Sequence, residues 1–123
     1  MRNAMRHYKL IVIGGGPAGM AVVHSAYKAG VRNILLLERQ HRLGGILNQC
    51  IHAGFGLHYF KTELTGTEYA ARYRKLIQKL PVTIHCSAFV HQLSKDHTVT
   101  YLHKHGEHQV SADHIVLATG CRE

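Results

Sequence analysis

Six residues near the N-terminus have the types and spacing of a phosphate-binding turn. Gly14-Gly15-Gly16-Pro17-Ala18-Gly19 satisfies the pattern GxGxxG. In that pattern the first glycine allows a sharp turn off a strand, and the second lets a pyrophosphate approach the backbone with no Cβ in the way. The third glycine lets the following helix pack closely on the strand, and the start of that helix offers free N–H groups to an anion.

An acidic residue at the expected distance makes the motif more specific. Glu38 follows Gly14 by 24 positions, close to the roughly 20 expected for a carboxylate that grips ribose hydroxyls. A carboxylate there also disfavours a 2′-phosphate, so NADP is not expected at this site. The pattern therefore predicts dinucleotide binding, and it leaves the choice between NAD and FAD open.

The surrounding sequence predicts the elements that must hold these residues. Tyr8–Ile13 is a continuous apolar run typical of a strand covered on both faces. Pro17 suits the first turn of a helix that extends to Ala29 and stops at Gly30. Asn33–Leu37 is a second buried strand. Strand, tight turn, helix and strand within about thirty residues form a right-handed βαβ unit.

The rest of the chain predicts a further helix and more strands. Residues 39–61 are glycine-rich and are expected to be irregular. Thr65-Gly-Thr-Glu68 is a capping box. It starts a helix, closed by Pro81, whose apolar stripe is Tyr69, Tyr73, Leu76, Ile77 and Leu80. A third strand (82–86), an antiparallel β-meander (88–111) and a buried strand (114–120) follow. We predict an α/β fold with a Rossmann-like, doubly wound parallel sheet in three layers and a small antiparallel β-meander, as a single domain over residues 1–123.

Composition limits the classes of partner and location. The chain has 123 residues and a formal charge of +8, and no apolar run in it is long enough to span a bilayer. The apolar run after the basic N-terminus is too short for a signal peptide. Its three cysteines form no CxxC, which is a poor disulfide framework and suits a reducing compartment. We therefore predict a cytoplasmic protein with no membrane span.

The positive charge does not by itself indicate nucleic acid. Basic residues are scattered along the sequence and are not interleaved with aromatic residues, so no nucleic-acid partner is predicted. A basic nucleic-acid-binding domain remains the weaker alternative. His103, His105 and His108 surround a predicted turn and could form a surface metal site, but exposed hairpin histidines are far commoner, and no metal is predicted.

Three motifs together resemble a known family. The stretch VIGGGPAGMAVVHSAYKAGVRNILLLER, the following Leu43-Gly44-Gly45 and the terminal VLATG are similar to the FAD-binding, N-terminal segment of the pyridine nucleotide-disulfide oxidoreductase superfamily. The resemblance covers nearly the whole chain. It implies that the cofactor is FAD and that the fold is the superfamily's FAD/NAD(P)-binding domain.

The resemblance also implies where the cofactor lies. The FAD pyrophosphate would sit over Gly14–Gly19 and the adenosine ribose on Glu38, beside Arg39. The backbone near Val90 would meet the adenine. The cofactor-binding residues implied are Gly14, Gly16, Pro17, Ala18, Gly19, Glu38, Arg39, Gly44, Gly45, Val90, Ala118, Thr119 and Gly120.

The sequence departs from the family pattern in two respects. Disulfide reductases carry a cysteine pair shortly after Gly45, whereas here only Cys50 is present, which points to the disulfide-free members and to a small buried residue rather than a redox thiol. His52 and His58 lie in the same loop and could transfer protons or be polar surface. The second nucleotide-binding domain of the family is also absent, so the chain is expected to be a partial, truncated version of the family's architecture.

The function predicted is the FAD-binding portion of a flavin-dependent, NAD(P)H-linked oxidoreductase, with catalytic residues unassigned. The alternative is a non-catalytic dinucleotide-binding module, or a subunit fragment that needs a partner chain. An open sheet edge beside Ile115–Ala118 would favour a homodimer or a complementing subunit.

Overall fold

A computed structural model describes residues 5–44, 53–55 and 64–119, which form a mixed sheet, a small two-stranded sheet and two helices. In the described residues, neither helix is long and apolar enough to cross a membrane. The strands are β1 (Arg6–Ile13), β2 (Ile34–Leu37), β3 (Ala53–Phe55), β4 (Leu64–Thr65), β5 (Thr83–His85), β6 (Ala88–Leu93), β7 (Thr98–His103) and β8 (Gly106–Leu117), and the helices are α1 (Pro17–Lys28) and α2 (Gly66–Gln78).

The main sheet has the strand order β5-β2-β1-β8-β7-β6. Its first four strands are parallel, and β1 lies between β2 and β8, with Ile11 opposite both Leu35 and Ile115. The βαβ unit formed by β1, α1 and β2 is the predicted one. Helix α1 stops where expected, because Gly30 adopts φ +102°, a conformation that favours glycine. The predicted α/β, Rossmann-like fold is confirmed.

Strand β8 joins the parallel sheet to the meander. Its first half pairs antiparallel with β7, and its second half pairs parallel with β1. Strands β2 and β6 stand four places apart in the strand order, yet they are in contact, and the Ala88 amide donates to the Glu38 carbonyl oxygen at 2.9 Å. The meander therefore curls back over one face of the parallel sheet, as the third layer.

Alternating residues of β1 and β2 pack into two separate cores. Ile11, Ile13, Leu35 and Leu37 face the meander and pack with Tyr101 and its neighbours. The residues between them face the helices in a core of Leu10, Val12, Ile34, Leu36, Met20, Val23, Leu43, Tyr73 and Ile77. Both faces of the strands are covered, which is why β1 and β2 read as continuous apolar runs.

Two expectations from the sequence were wrong in detail. The stretch expected to be irregular contains β3, which pairs antiparallel with β4. The last meander strand and the last parallel strand are one continuous strand, because residues 107–117 contain neither glycine nor proline to interrupt it. That strand is also less buried than predicted, since His114 is exposed and Leu117 is 63% exposed.

The packing of α2 predicts the cost of emptying its buried face. Ile77 is fully buried against α1 and the sheet, so we expect Ile77→Ala to lower the free energy of unfolding by about 2–5 kcal/mol, from lost burial and the cavity left behind. Urea unfolding followed by circular dichroism measures this. The control is Gln78→Ala, one residue further on the exposed side, which should change stability by less than about 0.5 kcal/mol. Equal effects of the two substitutions would contradict this packing.

Candidate functional site

The turn after β1 is held by backbone contacts that require glycine. Gly14 adopts φ +114° and donates its N–H to the Leu37 carbonyl oxygen at 2.8 Å. A Cβ at Gly14 would collide with the carbonyl oxygen of Ala118, whose own amide donates to Ile13 at 2.8 Å. The turn thus sits where the ends of β1, β2 and β8 meet, at the carboxyl edge of the parallel sheet.

The third glycine of the motif sets the distance between α1 and the strand. A Cβ at Gly19 would collide with the Gly14 carbonyl oxygen and would lie 3.6 Å from Val12 Cγ1. Any larger residue would push the helix off the turn. The roles expected of Gly14 and Gly19 within the fold therefore agree with the geometry.

The start of α1 is open to an anion. Gly16 is the N-cap residue, with φ −78° and no side-chain cap among the described residues, and the helical hydrogen bonds begin with the Met20 amide donating to Gly16 at 2.9 Å. The amides of Ala18 and Gly19 lie in the first turn of the helix, so they have no intrahelical partner. Pro17, which precedes them, has no N–H group. Ala18 is exposed and the first turn contains no acidic residue. This arrangement favours negative charge at the helix terminus.

Glu38 is locked against the glycine turn. Its side chain is buried, and its Oε1 accepts the Gly15 N–H at 2.6 Å while Oε2 accepts the Gln40 N–H at 2.6 Å. Two short hydrogen bonds to a charged acceptor fix both the rotamer of Glu38 and the path of the turn. Each carboxylate oxygen still has a lone pair available, because a carboxylate can accept about four hydrogen bonds.

The segment that follows β2 closes over the turn. The Gly44 amide donates to the Gly15 carbonyl oxygen at 2.8 Å, and Gly44 adopts φ +121°. Arg74 of α2 donates from Nη1 to the Leu43 carbonyl oxygen at 2.9 Å. A Cβ at Gly15 would lie 2.5 Å from Leu43 Cδ2. Both backbone hydrogen-bonding groups of Gly15 thus have partners: its N–H donates to Glu38, and its carbonyl oxygen accepts from Gly44.

The surroundings of Cys86, which include Glu38 and Arg74, make its thiol unreactive. Burial, followed by the nearby Arg42, lowers the pKa of Arg74, and Cys86 opposes that effect. Burial and the Glu38 carboxylate raise the pKa of the Cys86 thiol, with Arg74 acting in the opposite direction. Cys86 is therefore protonated at neutral pH and is a poor nucleophile.

The structure brings most of the predicted cofactor-binding residues to this one edge. Lying together there are Gly14, Gly16, Pro17, Ala18, Gly19, Glu38, Gly44, Ala118 and Thr119. Arg39 follows Glu38 and is exposed. Val90 stands further along β6, opposite Tyr101, and packs against the core under the meander. Ala88, two residues before Val90, makes the contact with Glu38.

Some predicted residues lie outside the described part of the chain, and some contacting residues were not predicted. Gly45, Gly120, Cys50, His52 and His58 lie outside the described residues. Sequence reasoning missed Gly15, Leu43 and Arg74. The sequence did mark Gly15, because glycine there occupies a variable position of the motif. Arg74 directly follows Tyr73 of the apolar stripe, so its position beside the buried face of the helix could also have been predicted.

No metal centre is found among the described residues. They contain no group of three or more His, Cys, Asp or Glu side chains that could hold a metal ion. His103, which the sequence singled out, lies 4.5 Å from the His85 ring of β5, and His108 stacks with the Tyr101 ring of the neighbouring strand β7 at 5.3 Å.

The comparison with protein families identifies the chain. Residues 8–123 match the model described as pyridine nucleotide-disulphide oxidoreductase, and the chain belongs to this family. A soluble pyridine nucleotide transhydrogenase of Marinomonas sp. (strain MWYL1) is 43% identical over 49 residues, which are 40% of this chain and 10% of that protein.

Solved structures share the fold at low sequence identity. Thioredoxin reductase of Lactococcus lactis is 24% identical, with a TM-score of 0.71 over 94% of this chain and 36% of that one. The p-nitrophenol 4-monooxygenase of Pseudomonas putida DLL-E4 is 16% identical, with a TM-score of 0.74 over 97% of this chain and 42% of that one. The chain thus spans well under half the length of these relatives.

Family membership confirms two predictions that the resemblance implied. The chain corresponds to the FAD-binding portion of this oxidoreductase family, and the cofactor of the family is FAD. The glycine turn fits such a group, because α1 begins without a side-chain cap among the described residues and Glu38 stands beside it.

The double hydrogen bond of Glu38 predicts a stability effect that needs no cofactor. In Glu38→Gln the side-chain amide can accept from only one of the two backbone N–H groups, and its NH₂ faces the other. We expect a loss of about 1–3 kcal/mol in the free energy of unfolding, measured by urea unfolding. The control is Asp96→Asn in the exposed turn before β7. If the two variants unfold at the same urea concentration, the carboxylate does not hold the turn.

Proposed function

We propose that this chain holds the ADP half of FAD across the glycine turn and that the whole protein is an NAD(P)H-linked oxidoreductase. The observation that carries the proposal is one juxtaposition: the open start of α1 lies next to the buried carboxylate of Glu38, both reached from the carboxyl edge of the parallel sheet. In open α/β sheets, ligands bind at this edge.

The amides at the start of α1 are proposed to bind the pyrophosphate. Gly16 has no side chain to hold the phosphates away, and Ala18 is exposed at the same terminus. Pro17 preorganises the first turn without adding an N–H group. Binding here uses partial charges of the backbone, and these groups need not move when the anion arrives.

Glu38 is proposed to orient the adenosine ribose. Its carboxylate is already held by two backbone amides, so its remaining lone pairs point from a fixed position, and little conformational entropy is lost when hydroxyl groups bind. Its negative charge would repel a 2′-phosphate. Arg39, Gly44, Gly45, Thr119 and Gly120 are proposed to border the cofactor, with the adenine near the backbone of Val90.

In such an enzyme FAD supplies the ring that accepts a hydride from a reduced substrate or nicotinamide. The share of this chain is to bind and orient the ADP end, so that the rest of the cofactor is directed along the edge. The name of the transhydrogenase relative supports a link to pyridine nucleotides. A cytoplasmic location remains a prediction from the sequence.

A second candidate is a nucleotide-binding subunit completed by a partner chain or a second copy. Beyond Asp113, whose carbonyl oxygen is hydrogen-bonded to His97, β8 pairs only with β1 among the described strands, which leaves the other edge of residues 114–117 without a described strand partner. Leu117 on this stretch is 63% exposed. Unpaired strand edges are templates for pairing with another chain. Light scattering of the purified chain would reveal a dimer.

The open helix start predicts that a single methyl group blocks binding. The backbone of Gly16 (φ −78°, ψ −166°) is extended and suits alanine, so Gly16→Ala should keep the fold but hold the pyrophosphate away. We expect ADP to bind at least about tenfold more weakly, a loss of about 1.4 kcal/mol, by isothermal titration calorimetry. The control is Ser25→Ala, exposed near the other end of α1. An unchanged affinity in Gly16→Ala would remove the helix start from the site.

The charge of Glu38 predicts selectivity at the ribose. Adenosine 2′,5′-bisphosphate should bind at least about tenfold more weakly than AMP, because the two share a 5′-phosphate and differ only in the 2′-phosphate that meets the carboxylate. In Glu38→Gln the difference in affinity between the two nucleotides should become smaller. Equal binding of the two nucleotides to the unaltered chain would exclude Glu38 from the ribose position.

A further inference from the structure

A second polar groove lies on the meander side of the sheet, away from α1 and α2. It runs between the start of β1, the end of β5 and the hairpin formed by β7 and β8. Arg6 at one end of the groove is eight residues before Gly14, which is about 26 Å at the rise of an extended strand. At the other end the groove adjoins the carboxyl edge, because the Glu38 N–H donates to the carbonyl oxygen of His85 at 2.9 Å. Tyr8 and Val110 form part of its buried wall. The nucleotide site described above does not use this groove.

Six of the thirteen described residues that line the groove are basic: Arg6, His85, His103, Lys104, His105 and His108. Arg6 and Lys104 form no ion pair within the described residues. The acidic residue in the lining is Glu107, and its carboxylate is engaged by His91 at 3.0 Å. The described groove therefore carries positive charge with little acidic compensation.

Aromatic contacts hold the imidazoles in place. The Tyr101 ring stacks with His108 at 5.3 Å between centroids and with His85 at 6.4 Å. The His85 and His103 rings are 4.5 Å apart. Because Tyr101 is buried, this ring cluster is part of the folded core and does not depend on a ligand. His103 Nδ1 is buried without a hydrogen-bond partner among the described residues.

We propose that this groove binds a doubly charged tetrahedral oxyanion, of the phosphate or sulfate type, and that the His85 imidazole takes up a proton as the anion binds. Arg6 and Lys104 supply permanent charge, and His85, His103 and His108 supply hydrogen-bond donors. Two fixed cations and three ring donors around one cleft suit a divalent anion better than a neutral ligand, because an anion offsets the repulsion between the two cations.

The charge arrangement gives the sign of the pH dependence. Burial, and then the charges of His103, His108, Lys104 and Arg6, lower the pKa of His85, so the empty groove disfavours its protonated form. Tyr8 and Tyr101 also face this cluster, and burial, followed by Tyr8, raises the pKa of Tyr101, so the Tyr101 phenol supplies no negative charge near neutral pH. A bound anion favours the protonated form of His85. Affinity must therefore rise as the pH falls.

Sulfate is the suitable first probe because it keeps its double charge between pH 6 and pH 8, so that any pH dependence belongs to the protein. Sodium sulfate is titrated into the full chain at constant ionic strength, and histidine side-chain NMR resonances are followed. We expect the resonances of His85, His103 and His108 to shift together, with about tenfold tighter binding at pH 6 than at pH 8. Exposed His114 on β8 should not respond.

Paired charge variants separate a site from general attraction to a basic protein. Arg6→Gln combined with Lys104→Gln removes two exposed groove charges and should weaken sulfate binding at least tenfold. Lys79→Gln combined with Lys95→Gln removes two exposed charges outside the lining and should leave it unchanged. Equal weakening in both pairs, or binding independent of pH, would overturn the proposal. The spectra themselves report whether each variant is folded.

Phosphate and methyl phosphate distinguish the source of the anion. If methyl phosphate binds as tightly as inorganic phosphate, the groove accepts phosphate esters, and if it binds at least tenfold more weakly, the groove is selective for the inorganic ion. Because the readout is the groove histidines, this result does not depend on whether ADP binds at the glycine turn. Failure of all three anions to shift these resonances would refute the groove site.

Discussion

The hydrogen bonding of the buried Glu38 carboxylate is the interaction on which the carboxyl edge of the parallel sheet depends. A charge taken out of water is costly unless it is hydrogen-bonded, and here two backbone amides, from Gly15 and Gln40, each donate at 2.6 Å. The bond from Gly15 joins the end of β2 to the turn after β1, and the bond from Gln40 holds the chain just after β2. The Glu38 carbonyl oxygen also accepts from Ala88, so the same residue ties the meander to the parallel sheet. One acidic residue thus positions three parts of the fold.

The glycines around Glu38 follow from how closely these backbones approach. Gly14 lies against Ala118, Gly19 lies against Gly14, and Gly15 lies against Leu43, in each case closer than a Cβ would allow. Close approach brings the start of α1 to the ends of β1, β2 and β8. The resulting edge presents amide dipoles and one carboxylate, a combination matched to a pyrophosphate and a ribose. The same contacts that complete the fold therefore leave a polar surface of fixed geometry.

The sequence predicted this edge well because its signals are local. The turn, the helix start and the acidic residue all lie within about thirty residues, and each is set by steric or hydrogen-bonding rules that act over short distances. The meander was harder to predict. Ser111 and Asp113 interrupt the apolar pattern of β8. Their side chains find polar partners on β1, because Ser111 is hydrogen-bonded to His7 and Asp113 forms an ion pair with Lys9, so the strand continues through them. Whether a polar residue ends a strand depends on its neighbour across the sheet, which the sequence does not specify.

The same limit applies to the excess positive charge. Arg6, His85 and Lys104 are far apart in the sequence, and nothing in the sequence predicts that they share a site. They come together because the sheet curls and brings the β7–β8 hairpin over β1 and β5. The glycine turn does not need them, since it uses backbone amides and a carboxylate. The basic groove thus contains none of the residues proposed to bind the nucleotide, although composition alone would connect the two. The helix-facing core and the meander-facing core of β1 and β2 stay separate, because each face of these strands is covered by its own layer.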